Sequence, residues 1–309
     1  MKLLIEIPTW LGDAIMCTPA INNIIKEYPN AQIILFGSYV STQALGQNKN
    51  ISKIIIDDSK KGGNRYLNLI KLTKKVGFVD MAISFRKSFA SKFMMFFVSA
   101  KKKYSYEDIS KKTRHQVVKY NDFINHSLNI NRTPDDLELN IKPYRYAKPT
   151  LGINPGATYG SAKRWYALEF AKVAVALSKE YDIVIFGGPG EVNIAKDIEA
   201  ELINSNIINY ENLAGKTDIK QLVGKIAGLS LFITNDSGPM HVAASFKIKT
   251  YCIFGPTKFT ETNQWNNPNE HIITKNLECA PCMKRICPLK HHDCMKQITA
   301  SDVLEVIGE

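Results

Sequence analysis

Short apolar runs alternate with segments of helical periodicity along the whole chain. In the first half, apolar runs predict strands at 2–8, 32–37, 51–57 and 79–85, and apolar residues recurring every three or four positions predict helices at 13–28, 66–76, 89–99 and 115–130. The second half repeats the pattern, with strands at 150–154, 183–187, 231–235 and 250–254 and helices at 165–180, 191–203, 218–229, 240–246 and 301–307. Between the halves, 131–149 contains Pro134, Pro143 and Pro149 and is typical of a domain connection. The chain is therefore predicted to be an α/β protein with two doubly wound domains, 1–147 and 148–309.

The stretch LFITNDSGPMHVAAS (231–245) predicts a buried strand, a tight turn and a helix. This order places Ser237, Gly238 and His241 at the carboxyl end of the strand, where open α/β sheets bind ligands. The first amides of the helix suit a phosphate, whereas Asp236 would repel one and suits sugar hydroxyls. Alternatively, Asp236 or Ser237 is only the N-cap of the helix.

Two further segments have the same strand–turn–helix order. In PTWLGD (8–13), Gly12 permits a tight turn, and Asp13 is either a catalytic carboxylate facing a ligand or a helix N-cap. In INPGATYGSAKRW (153–165), glycines and other small residues leave room for a ligand beside Lys163. The alternative there is an ordinary surface pair of Lys163 and Arg164.

Taken together, PTWLGD with Pro19, PGATYGSAKRW, and TNDSGPMH followed by FGPT resemble the lipopolysaccharide heptosyltransferases of glycosyltransferase family 9. Their order and spacing match along nearly the whole chain, apart from Pro239, where the family more often has leucine. SFRKSFA (84–90) and CPLKHHDC (287–294) are similar to the type that adds the second heptose. The resemblance implies the GT-B architecture, in which two Rossmann-like domains face a cleft, with 1–147 on the acceptor side and 148–309 binding the ADP-sugar donor.

The resemblance also implies a reaction. The enzyme would transfer L-glycero-D-manno-heptose from ADP-heptose to the heptosyl-Kdo-lipid A inner core, with inversion at the anomeric carbon. Asp13 matches the family's proposed general base. No metal or other cofactor is expected, because the chain lacks the Asp-x-Asp of metal-dependent sugar-nucleotide enzymes. A sister transferase with another acceptor or nucleotide sugar is the alternative.

The remaining family positions concern the donor. By resemblance, the diphosphate is bound by Lys163 and the amides of Ser237 and Gly238, the heptose by Asp236 and His241, the ribose by Glu191, and the adenine pocket includes Thr217. Alternatively, Glu191 is a carboxylate in the first turn of a helix, where a negative charge is favourable.

Charge is distributed unequally along the chain. Residues 1–147 contain 23 Lys and Arg against 12 Asp and Glu, whereas residues 148–309 contain 17 of each, so the first half holds the whole net charge of +11. A nucleic-acid-associated protein is one interpretation, but no nucleic-acid-binding motif is present, and we expect no such partner. The basic and aromatic segment 85–106 predicts instead a face for anionic glycolipid and the inner leaflet of the membrane, with Arg86, Lys87, Lys101, Lys102 and Lys103. Its alternative is a buried helix with a solvated lysine tail.

The sequence favours a cytoplasmic protein peripherally associated with the inner membrane. No run of 18 apolar residues exists, and MKLLIEIPTW has no signal-peptide cleavage site. Disulfides are not expected in that compartment. Four cysteines, Cys279, Cys282, Cys287 and Cys294, have a spacing that indicates a structural zinc site or, alternatively, a reduced and locally packed cluster.

Overall fold

Two parallel β-sheets organise the computed structural model, which describes residues 1–110 and 112–308. The chain divides into one unit at Met1–Ile141 and a second at Lys142–Glu309. The sequence placed this boundary at 147/148. The earlier division follows from two hydrogen bonds, since the Tyr144 amide donates to the Gly224 carbonyl (2.7 Å) and the Tyr146 hydroxyl to the Lys225 carbonyl (3.2 Å). Both bonds hold the end of the connection to the second unit.

The described residues of the first unit form five strands and six helices. They are β1 (Lys2–Glu6), α1 (Leu11–Met16), α2 (Thr18–Glu27), β2 (Gln32–Gly37), α3 (Tyr39–Leu45), β3 (Ile51–Ile56), α4 (Arg65–Val76), β4 (Phe78–Ser84), α5 (Phe89–Phe97), β5 (Ser99–Ser105) and α6 (Gln116–Leu128). The sheet order is β3-β2-β1-β4-β5, and all pairs are parallel. The central strand β1 is buried from Leu3 to Glu6, as expected for a strand covered on both faces.

The second unit, described as far as residue 308, repeats this arrangement with six strands. Its elements are β6 (Thr150–Asn154), a 3₁₀ turn (Ser161–Lys163), α7 (Ala167–Leu177), β7 (Asp182–Ile185), a 3₁₀ turn (Pro189–Glu191), α8 (Val192–Asn204), β8 (Tyr210–Asn212), α9 (Ile219–Ala227), β9 (Leu231–Asn235), α10 (Gly238–Ser245), β10 (Thr250–Ile253), α11 (Phe259–Thr262), β11 (Glu270–Ile273), α12 (Asp293–Lys296) and α13 (Ala300–Gly308). The order is β11-β10-β9-β6-β7-β8, again all parallel. The prediction of doubly wound parallel sheets is confirmed.

A buried tryptophan anchors the core of the second unit. Trp165 is almost fully buried, and its indole N–H donates to the Ile298 carbonyl (2.8 Å) just before α13. Its ring packs edge-on against Phe170 of α7, with centroids 4.8 Å apart. The C-terminal segment is thereby fastened beside the loop that precedes α7.

The structure corrects two predicted elements of the first unit. The single helix at 13–28 is two helices, because the backbone turns at Cys17 and α2 restarts with Pro19 in its first turn. The prediction that 89–99 continues into a lysine tail is also wrong, since α5 ends at Phe97 and Ser99–Ser105 forms the edge strand β5. Lysines are common on exposed edge strands because they discourage pairing with another sheet.

Each sheet has one point where the strand order reverses, and ligands of open α/β sheets bind there. In the first unit this point lies between β1 and β4, so the loops at Ile7–Trp10 and Phe85–Ser88 flank it. In the second unit it lies between β6 and β9, flanked by Pro155–Gly156 and Asp236–Ser237. Across residues 1–110 and 112–308, no helix is long and apolar enough to span a membrane.

Candidate active site

An asparagine fastens the loops at the switch point of the second unit. Asn235, fully buried at the end of β9, donates from Nδ2 to the Pro155 carbonyl (2.7 Å) and accepts at Oδ1 from the Trp165 amide (3.0 Å). The loop after β6, the start of α7 and the end of β9 are therefore held in one arrangement. Asn235 was not among the predicted site residues, although it lies within TNDSGPMH.

A buried ion pair lies beside this asparagine. The ammonium of Lys163 contacts Asp236 Oδ2, and the Thr257 hydroxyl donates to the same oxygen (2.6 Å). Asp236 is buried and Lys163 largely so, and the Lys163 ammonium lies 4.6 Å from the centroid of the Tyr159 ring. The ordinary surface-pair alternative for Lys163 is therefore wrong. Thr257 was missed as a site residue, but it belongs to the FGPT segment that the resemblance singled out.

The start of α10 lies at the same edge. Ser237 occupies the N-cap position, yet its side chain makes no capping bond, and its hydroxyl lies 3.3 Å from Asn154 Nδ2. Asp236 binds Lys163 and Thr257 instead, so the N-cap alternative is wrong for Asp236, whereas Ser237 holds the N-cap position without a side-chain capping bond. Gly238 begins the helix, and His241 is buried in its first turns. Five of the residues predicted to bind the nucleotide-sugar donor therefore lie at this strand end: Lys163, Asp236, Ser237, Gly238 and His241.

Glu191 lies against the neighbouring loop. Its carboxylate accepts from the Gly188 amide (2.8 Å), and a Cβ on Gly156 would come within 1.9 Å of Glu191 Cδ. The carboxylate thus occupies the space that a side chain at position 156 would need. Thr217, half-buried one residue before the N-cap of α9, makes no hydrogen bond or ion pair with the other predicted donor residues in the described parts of the chain.

The cysteine-rich segment supports the loop that carries Lys163. The Ala162 amide donates to the Arg285 carbonyl (3.1 Å), the Tyr159 hydroxyl to the Met283 carbonyl (2.9 Å), and His292 Nε2 lies 2.9 Å from the Ala162 carbonyl. These bonds link the segment to 159–163 at several points. The segment therefore contributes to the position of Lys163.

Four cysteines line a small cavity of about 20 Å³: Cys279, Cys282, Cys287 and Cys294. Burial, helped by the neighbouring sulfurs, raises the pKa of the Cys294 thiol to about 11. All four are free cysteines, and no three Cys, His, Asp or Glu side chains among residues 1–110 and 112–308 are arranged to hold a metal ion. The four thiols are thus packed close together in this structure, and the structural zinc site and the reduced cluster both stay predictions.

In the first unit, Asp13 follows the loop after β1. The N-cap of α1 is Trp10, so Asp13 is the third residue of the helix and the N-cap alternative is wrong. Burial, with a smaller contribution from the negative charge of Asp13, raises the pKa of Tyr106 to about 12. Tyr106 directly follows β5, at the carboxyl edge of the sheet, so Asp13 lies near that edge. Asp13 is half-buried there.

A buried carboxylate network occupies the same switch point. Glu6, at the end of β1, accepts from the Ser84 hydroxyl (2.5 Å), the Ser91 hydroxyl and Arg86 Nη1 (3.0 Å). Asp57 Oδ2 lies 3.4 Å from the same Arg86 nitrogen. Burial raises the pKa of Glu6, and the Arg86 charge opposes that rise. Arg86 is therefore largely buried between two carboxylates, which corrects its predicted place on an exposed basic face.

The other predicted basic residues are exposed and occupy two places, Lys87 in the loop after β4 and the three lysines on β5. The Lys87 ammonium lies 4.7 Å from the Tyr106 ring centroid, at the carboxyl edge of the sheet. Lys101, Lys102 and Lys103 lie on β5, where Lys101 pairs with Asp80 (2.8 Å) and Lys103 donates to the Phe96 carbonyl (3.0 Å). Lysines 101 and 103 face the α5 side of the sheet, whereas Lys102 faces the other side, because strand residues alternate.

Known proteins resemble this chain in sequence and in fold. Residues 69–292 match a family described as glycosyltransferase family 9 (heptosyltransferase). Lipooligosaccharide heptosyltransferase 2 of Campylobacter jejuni is 45% identical over 99% of this chain and 97% of its own length. The solved structure of ADP-heptose lipopolysaccharide heptosyltransferase II from E. coli is 23% identical and superposes with a TM-score of 0.80, covering 100% of this chain and 98% of that one. A family 9 glycosyltransferase from Veillonella parvula, 20% identical, gives a TM-score of 0.86 over 99% and 96%. The two superpositions confirm the GT-B fold class.

Proposed function

This chain belongs to glycosyltransferase family 9, and on that premise we propose that it transfers L-glycero-D-manno-heptose from ADP-heptose to the heptosyl-Kdo-lipid A inner core. It is a glycosyltransferase, and its heptosyltransferase relatives support lipopolysaccharide or lipooligosaccharide core synthesis as its process. The donor, the acceptor and inversion at the anomeric carbon are the proposal. The observation that carries it is the buried Lys163–Asp236 pair at the switch point of a Rossmann-like sheet.

The second unit binds the donor. An anionic diphosphate near Lys163 competes with Asp236 for the ammonium, and the first amides of α10 add donors at a helix N-terminus. Asp236, still bonded to Thr257, then accepts from a sugar hydroxyl. The pair keeps both groups oriented before the donor arrives, which lowers the cost of organising them during the reaction.

The first unit supplies the base. The acceptor hydroxyl gives its proton to the Asp13 carboxylate while its oxygen attacks the anomeric carbon of the heptose. The bond from that carbon to the β-phosphate oxygen breaks, and its electron pair leaves with ADP, whose charge Lys163 stabilises. A single displacement of this kind inverts the anomeric configuration. No step requires a metal, because Lys163 and the α10 amides neutralise the leaving group.

The test compares two lysine variants. Lys163→Ala is expected to weaken ADP binding and to lower kcat, with a loss of about 100-fold or more in rate, the magnitude seen when one preorganised donor is removed. The matched control is Lys172→Ala, which removes an exposed lysine paired with Glu169 three residues earlier. Calorimetric titration with ADP and turnover of ADP-heptose measure the two effects.

Wild-type affinity for ADP in Lys163→Ala would overturn the diphosphate assignment. Turnover of a different nucleotide sugar in preference to ADP-heptose would favour the sister-transferase alternative over the proposed donor.

A further inference from the structure

Two helices of the first unit expose a continuous aromatic strip. Phe89 and Phe96 of α5 are 71% and 76% exposed, and Leu67 of α4 is 59% exposed. The residues that make up this α4–α5 strip are Tyr66, Leu67, Phe89, Phe93, Phe96 and Phe97. Exposed apolar surface of this extent commonly marks an interaction site.

The rings of the strip touch one another from end to end. Tyr66 lies 6.0 Å from Phe89 and 4.9 Å from Phe93, measured between ring centroids. Phe97 lies 4.9 Å from Phe93 and 5.2 Å from Phe96. The core side of α5 is already filled by other residues, Ala90, Met94 and Met95. Phe93 is partly buried against the core, whereas Phe89, Phe96 and Phe97 are additional apolar surface that the fold of this unit leaves exposed.

The surroundings of the strip carry charge of one sign. Neither α4 nor α5 contains an acidic residue, and the exposed charged residues among them are lysines 71, 74, 75 and 92. On α4, Lys71, Lys74 and Lys75 follow Leu67 at helical spacings of four, seven and eight, so they share its face. Lys103 of β5 adds another ammonium beside Phe96.

We propose that the α4–α5 strip is the surface by which this protein docks on a bilayer that contains anionic lipid. Phe89, Phe96 and Leu67 enter the boundary between headgroups and acyl chains, while the lysines reach lipid phosphates and keep their stems against the apolar surface. A second copy of this chain is unfavourable as a partner for the strip. A symmetric contact would place the lysines beside the strip of one copy against those of the other, and their like charges would repel. The inference rests on the proposed function only in that a lipid-linked acceptor gives docking a purpose.

The experiment is cosedimentation of the full chain with vesicles of phosphatidylcholine alone or mixed with phosphatidylglycerol. We expect binding to the mixed vesicles that weakens as salt rises. Phe89→Ser with Phe96→Ser is expected to abolish it. Lys71→Gln with Lys74→Gln should weaken it about 30-fold, since each basic residue near an anionic surface contributes roughly fivefold (about 1 kcal/mol). The matched control is Ile208→Ser, which removes a 92% exposed side chain of the second unit and should change nothing.

A water-soluble, deacylated acceptor separates docking from catalysis. With that acceptor, the double phenylalanine variant should keep wild-type kcat and KM, whereas transfer to membrane-embedded acceptor should fall. If no heptosyl transfer occurs but vesicle binding behaves as described, the docking surface stands and the proposed function fails. Wild-type vesicle binding by the double phenylalanine variant would overturn the docking proposal. So would a concentration-dependent dimer that the variant abolishes, since it would assign the strip to self-association.

Discussion

Replacing Gly156 by alanine tests the arrangement around Glu191 directly. The added Cβ would lie 1.9 Å from Glu191 Cδ and Oε1 and 2.3 Å from Oε2, so the carboxylate must move. Glu191 is only half-buried and its carboxylate is the end of a flexible chain, so the backbone need not shift. The main loss is the hydrogen bond from the Gly188 amide, and for a partly exposed bond to a charged group we expect about 1–2 kcal/mol of unfolding free energy.

A double-mutant cycle isolates this contact. In a Glu191→Ala background the carboxylate is absent, so Gly156→Ala should cost little, and the coupling between the two sites should be about 1 kcal/mol. Gly190→Ala is the matched control, because a Cβ there meets nothing within 4 Å, and it should be neutral or slightly stabilising. Urea unfolding of the four proteins measures the cycle.

Additivity within about 0.5 kcal/mol would show that positions 156 and 191 do not interact, because independent sites behave in that way. The same proteins test the ribose assignment. If the Glu191 carboxylate binds the donor ribose, Gly156→Ala and Glu191→Ala should weaken ADP binding by similar factors. Unchanged ADP affinity in both variants would restrict Glu191 to its structural role beside Gly188.

Three further outcomes are expected. Asp13→Asn should abolish turnover with ADP affinity unchanged in calorimetry, because the base contacts the acceptor; near-normal kcat would remove Asp13 from the mechanism. Asp302, whose pKa is lowered chiefly by the Lys275 ammonium and the Thr299 amide, should stabilise the fold above its unfolded pKa and lose that effect as pH falls through its folded pKa. Thermal unfolding of Asp302→Asn should therefore show a deficit of about 0.5–2 kcal/mol at pH 7 that disappears at strongly acidic pH; an equal deficit at both would contradict this account. Activity should survive EDTA in a short assay, and prompt loss reversed by Mg²⁺ would contradict leaving-group stabilisation by Lys163.

The sequence predicted the fold better than it predicted which side chains pair with each other. The strands of a doubly wound sheet are buried on both faces, and its helices are buried on one face. Apolar runs and helical periodicity indicate these two kinds of burial, so the order of strands and helices was predictable. Periodicity failed at Cys17 and at 99–105. At Cys17 the apolar pattern continues although one helix ends and the next begins there. At 99–105 three lysines hide the strand pattern, because this strand lies at the exposed edge of the sheet.

Local sequence patterns could not predict contacts between side chains that lie far apart along the chain. Lys163 and Asp236 are 73 residues apart, and only the adjacency of β6 and β9 brings them together. Arg86 reads as a surface charge in its own segment, whereas the carboxylates that bury it come from the ends of β1 and β3. Strand-end motifs therefore located the candidate site, while the pairing within it required the sheet order.

Heptosyl transfer from ADP-heptose to the lipid-linked inner core is the reaction proposed for this chain. The most direct measurement is mass spectrometry and NMR of heptosyl-Kdo-lipid A incubated with ADP-heptose and the purified protein. We expect the acceptor to gain the mass of one heptosyl residue, with release of one ADP and an anomeric configuration opposite to that of the donor. An acceptor of unchanged mass under conditions in which the protein binds ADP, or a product that retains the donor configuration, would contradict the account.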